Sequence, residues 1–120
     1  MTVQECYQAM GSDYEDVMSR LRTDERVKKF QLKVPADPSY TLLCSSLEQK
    51  DIPEAFRAAH TIKGISQNLS LTRLYTSSAQ LCDVLRDRQE YGEDIEPAFE
   101  AAEKDYHFTI GCIQRLAESV

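Results

Sequence analysis

The chain has 120 residues, 42% of them hydrophobic, enough for one compact core and too few for two ordinary domains. Its formal net charge of −6, with basic residues interspersed among acids, argues against nucleic acid, because phosphate binding depends on clustered Lys and Arg. Met1–Glu5 lacks the basic start and apolar run of a secretion leader, and no stretch approaches bilayer-spanning length, so a cytoplasmic location with no membrane insertion is expected.

The first segment opens on Thr2-Val3-Gln4-Glu5, a capping box, and carries Val3, Cys6, Tyr7 and Met10 at helical spacing until Gly11 stops it. Asp13 caps a second short helix with Tyr14, Val17, Met18 and Leu21 on one face. Thr23 or Asp24 starts a third with Val27, Phe30 and Val34. Pro35-Ala36-Asp37-Pro38 breaks the pattern, and Ser39 opens a fourth segment carrying Tyr40, Leu43, Cys44 and Leu47.

Asp51-Ile52-Pro53-Glu54 is a second well-formed helix start. Asp caps, Pro loses nothing in a first turn whose N–H groups lack partners, and Glu suits the positive helix end. The helix that follows runs to Asn68 and buries a stripe of Ile52, Ala55, Phe56, Ala59, Ile62, Ser66 and Leu69. Leu71, Leu74, Tyr75, Ser78, Leu81, Cys82 and Leu85 mark the next, expected to reach about Gln89. Tyr91-Gly92-Glu93-Asp94 is a break, and Ile95 to Leu116 alternate threes and fours in a long last helix.

Strand-like alternation is missing, so the fold class is all-α. Segments 39–49, 52–68, 71–89 and 94–118, joined by short connections, predict an up-and-down antiparallel four-helix bundle. Residues 1–36 supply short helices that cover an open end or side of it. Cys6, Cys44, Cys82 and Cys112 are far apart and sit on or near apolar faces, which reads as reduced core residues and not a metal site. No metal and no cofactor is expected.

Chemistry concentrates in His60-Thr61-Ile62-Lys63-Gly64. Stepping 100° per residue sets His60 roughly 120° from the centre of the buried stripe, so its ring is expected to be exposed. Lys63, one turn on, adjoins it and can neutralise an anion on the ring. Gly64 costs about 1 kcal/mol relative to alanine inside a helix, a cost explained if the missing side chain lets another molecule approach. A lone exposed histidine is ordinarily just solvated; the lysine and the glycine beside it make the difference. His107, between Tyr106 and Phe108, has neither companion and reads as structural. An uncharged imidazole is nucleophilic near neutral pH, so an exposed one can accept a phosphoryl group and release it. Arg57 and Arg73 are candidates for added positive field. Gln67, Ser78 and Cys82 are candidates to hold the second ring nitrogen, Gln67 favoured because it lies seven residues on.

The same segment, followed by Asn68-Leu69-Ser70-Leu71, resembles the active helix and turn of histidine-containing phosphotransfer (HPt) domains. The resemblance implies a four-helix bundle in which His60 is phosphorylated at Nε2 by, or hands phosphate to, an aspartate on a receiver domain of a response regulator or hybrid sensor kinase. It implies that the receiver supplies the Mg²⁺ and the acidic pocket. The HPt protein is then a phosphocarrier and not an enzyme: it presents His60, Lys63 and Gly64 with a docking surface that includes Arg57 and Ile65, and a monomer suffices. Family members commonly have glycine where this chain has Ser70, so either Asn68 takes the left-handed backbone or Ser70 caps the next helix. The competing readings are a helical adaptor that binds a receiver or other partner without transferring phosphate, and a hydrolase pairing His60 with His107.

Overall fold

The computed structural model describes residues 1–119. They form seven α-helices: α1 (Val3–Met10), α2 (Tyr14–Leu21), α3 (Asp24–Gln31), α4 (Ser39–Glu48), α5 (Ile52–Asn68), α6 (Thr72–Leu85) and α7 (Ile95–Glu118), with a 3-10 turn at Val34–Ala36. The described residues contain no strand, and the chain is all-helical. None of these helices is long and apolar enough to cross a membrane.

The helix starts follow the side-chain chemistry. Thr2 and Glu5 make the reciprocal capping box, and Asp13, Thr23 and Asp51 each accept the N–H three residues on, which removes one unpaired donor per helix. α4 starts differently: Pro38 holds the cap position, and the Asp37 carboxylate accepts the Ser39 N–H at 2.8 Å.

α5 is the central staff of the bundle, packed against both α4 and α6, while α6 packs against α7. Ile52, Ala55, Ala58, Ala59, Ile62 and Ser66 are its buried residues. Three alanines let the neighbouring helices come close, and Ser66 satisfies its hydroxyl on the Ile62 carbonyl at 2.8 Å. Leu43, Leu74, Leu81, Leu85, Ile95, Ile113 and Leu116 complete the core from the other helices. Between α4 and α7 the Tyr40 and Tyr106 rings stack 3.9 Å apart.

α1–α3 close the end of the bundle formed by the α5–α6 turn and the C-terminal part of α7. Tyr7 is fully buried and donates its hydroxyl to the Leu69 carbonyl at 2.7 Å, and Cys6 donates to the Cys112 carbonyl at 3.6 Å. Arg20 donates to the carbonyls of Gln67 (3.1 Å) and Asn68 (3.0 Å), supplying partners at the C-terminus of α5.

Two boundaries differ from the sequence expectation. The third helix stops at Gln31, and Val34 lies instead in the 3-10 turn. α6 ends at Leu85, a turn short of Gln89, because Arg86 is extended and Asp87 turns left-handed (φ 55°). The connection that follows is tied by Arg88, whose guanidinium meets the Asp94 carboxylate at 2.9 Å. Ser70 also departs from both alternatives considered for it. It adopts the left-handed backbone itself (φ 55°), while Asn68 stays helical and no side chain caps α6. The Ser70 hydroxyl donates to Asp16 at 2.6 Å and accepts from Arg20 at 2.5 Å, contacts that glycine lacks and that offset the steric cost of the conformation.

Candidate functional site

His60 lies in the middle of α5, exposed. Its ring stacks on Phe56, one turn earlier, with centroids 5.9 Å apart and planes 27° from parallel. Phe56 is half-buried, so the residue assigned to the core stripe from periodicity is instead a shelf at its rim. The Arg86 guanidinium covers the same Phe56 ring, 5.8 Å from its centroid.

Gly64 is exposed, and a Cβ built on it meets nothing within 4 Å. Internal packing therefore does not require glycine here. The open space lies on the outer surface one turn from the imidazole, where a second macromolecule would stand.

Lys63 is half-buried on the α6 side and makes no salt bridge among the described residues. Burial pushes the Cys82 thiol up, and the Lys63 and Arg86 charges pull it the other way. Arg57 is exposed and bound to Glu54 at 3.0 Å, a solvated pair worth little and easily exchanged for another anion.

Arg73 is elsewhere. It pairs with Asp105 at 3.3 Å and lies 4.3 Å from the Phe108 ring centroid, so its field is spent at the α6–α7 surface.

No hydrogen bond from a described residue reaches either His60 ring nitrogen. Gln67 is exposed two turns along, and its bonded group is the backbone carbonyl held by Arg20. The Ser78 hydroxyl is buried and donates to the Leu74 carbonyl at 2.6 Å, and the Cys82 thiol is buried. Ring contact comes from Phe56. Ile65 is half-buried on the flank of α5 facing α3. His107 is not in this cleft: it bonds Tyr40 at 3.2 Å on the α4–α7 side.

Beside the imidazole is a shallow cleft of about 410 Å³, walled by Phe56, Arg57 and His60 of α5, by Leu85 at the end of α6, and by Arg88 and Gln89 after it. Arg88 and Gln89 were not legible as site residues. They arrive only because α6 ends early, and a left-handed aspartate is a weak sequence signal.

The arrangement offers an accessible nitrogen nucleophile, cations on both sides, an unobstructed outer surface and no enclosing pocket. It suits a group passed between proteins better than a substrate held in place. Neither a curated protein nor a solved structure is significantly similar to the chain. The family model for the Hpt domain matches residues 36–118, from the last residue of the 3-10 turn to the end of α7. On that match, which spans well over half of its length, the chain belongs to the Hpt domain family, a family of phosphotransfer signalling modules.

Proposed function

We propose that this protein is a phosphocarrier of a multistep phosphorelay, accepting a phosphoryl group on His60 from a receiver-domain aspartate and passing it to another. The observation that carries this reading is the exposed imidazole of α5 beside a helical glycine that its own fold does not require. The Nε2 lone pair attacks phosphorus as the bond to the aspartyl oxygen breaks, leaving a free carboxylate on the receiver and a phosphoramidate on His60; the reverse transfer runs through the same geometry. The phosphorylated ring bears added negative charge, which Lys63 one turn away neutralises in part. Gly64 leaves room for the receiver's backbone, and Arg57 and Ile65 flank the docking face. Gln67, two turns along, is close enough to join that face once a partner is bound.

A panel of phosphorylated receiver domains tests the reading. One of them should label the wild type at a single acid-labile site, and His60→Gln should remove the label with unchanged helical circular dichroism. Labelling of His60→Gln at the wild-type level would overturn the assignment. Binding of a receiver with no transfer to wild type would replace the carrier by an adaptor.

A further inference from the structure

In α5 the Thr61 and Ser66 hydroxyls donate to the Arg57 and Ile62 carbonyls, and neither nitrogen of His60 has a partner among the described residues. An exposed side chain with no polar anchor hops between rotamers on the picosecond-to-nanosecond scale. Inside a helix two χ1 wells are commonly open, each with a roughly two-fold χ2, so an unsupported histidine samples about four orientations.

Phe56 removes that freedom. It precedes His60 by four residues, and helical side chains lean back over the turn before them, which carries the imidazole onto the Phe56 ring. The centroid separation of 5.9 Å and the 27° tilt fall in the offset-stacked range. The shelf is itself fixed by tertiary packing. Phe56 packs against the buried core, Leu85 stands in the same cleft, and the Arg86 guanidinium lies 5.8 Å from the Phe56 centroid while pairing with Asp83 at 2.7 Å. Order in the α5–α6 packing is thereby passed to a ring that otherwise stands in water.

Contact through a face has a consequence that a hydrogen bond lacks. The lone pair of an imidazole nitrogen lies in the ring plane, so a neighbour on the face leaves both nitrogens free. The lean toward Phe56 also keeps the surface over Gly64 clear.

We propose that Phe56 is the positioning residue for His60: its ring, steadied by Arg86, holds the imidazole in one orientation with the nitrogen edge free for the phosphorylated aspartate. The proposal rests on the phosphocarrier reading and deepens it, naming what orients the nucleophile where no side chain bonds its second nitrogen.

The test uses the full chain and the receiver that labels it fastest in the panel above. Three-bond couplings across the His60 Cα–Cβ bond should report one rotamer in wild type and averaged values in Phe56→Leu, a change that lost stability alone does not produce. Single-turnover transfer from saturating phosphorylated receiver should fall about fourfold in Phe56→Leu, since one of the orientations then sampled is productive, with the half-saturating concentration unchanged. Phosphoramidate, small enough to meet the ring in any orientation, should label both proteins at the same rate. Phe56→Tyr keeps the flat face and should restore rotamer and rate, and Arg86→Gln should slow transfer by less than Phe56→Leu. Averaged couplings in wild type, or an unchanged saturating rate in Phe56→Leu, would overturn the positioning role and leave His60 as the carrier. A raised half-saturating concentration at an unchanged saturating rate would do the same, making Phe56 a docking residue. Failure of every receiver to label wild type would overturn the carrier reading and the role in transfer with it. If Phe56→Leu lowers helical content, Phe56→Met, which is flexible and has no flat face, decides by the same measurements.

Discussion

At the scale of the residue, Gly64 separates stability from function. A Cβ there meets nothing within 4 Å, so a better helix former loses less backbone entropy on folding than glycine does and disturbs no packing. Gly64→Ala should stabilise the protein by about 1 kcal/mol and Gly64→Gln by about 0.5 kcal/mol in urea titrations. The same Gln should slow phosphotransfer from a receiver at least tenfold, because its side chain occupies the approach to the imidazole, whereas Ala should slow it far less. Equal transfer rates in wild type and Gly64→Gln would mean that no partner comes in over this position. The pentapeptide could be read from sequence because three side-chain types at i, i+3 and i+4 carry their meaning wherever a helix places them. Phe56 could not: periodicity locates a stripe to within one residue's width, and Phe56 lies at its edge, where packing decides between core and rim.

At the scale of the element, the α5–α6 turn depends on α2. Arg20 bonds two carbonyls at the end of α5, the Ser70 hydroxyl and Asp16, the last at 2.9 Å. Arg20→Ala should lower the melting temperature by about 5 °C through the lost carbonyl partners, with the His60 labelling pattern unchanged. The Ser70 hydrogen bond first, and Arg20 second, hold the Asp16 carboxyl below the ordinary aspartate range. A depressed folded-state value means that this contribution is complete above the unfolded value near 4 and fades as pH falls through the folded one. The acid limb of wild-type stability should therefore be steeper than that of Ser70→Ala, as thermal melts between pH 5 and pH 2 would report. The departure at Ser70 was visible as a serine in place of a glycine, but its resolution was not. The compensating carboxylate and guanidinium come from a helix about fifty residues earlier in the chain.

At the scale of the whole molecule, the helices form an elongated body of 45 × 25 × 19 Å, with the exposed His60 face along its middle staff and the N-terminal cover at one end. The α6–α7 connection is the opposite end's fastening. A Cβ on Gly92 would come within 2.7 Å of the Arg88 guanidinium and 2.8 Å of the Asp94 carboxylate, so Gly92→Ala must push that pair apart. Because the pair is exposed, the stability cost should stay below about 1 kcal/mol. Amide exchange over residues 86–95 should nonetheless accelerate, and unchanged exchange would show that the pair does not hold the connection. Seven helix positions, most of their caps and the presence of an exposed histidine with its lysine and glycine followed from local chemistry: hydrogen-bonding side chains at helix starts, breakers between them and a 3.6-residue period. The bundle's antiparallel order followed from short connections. Which residues border the imidazole, where α6 stops and how Ser70 bears a left-handed backbone all required the folded arrangement. The end of α6 is set by the backbone at Arg86 and Asp87, which no hydrophobic period reports; the others join groups distant in sequence, and no periodicity or spacing encodes a contact whose two halves lie on different helices.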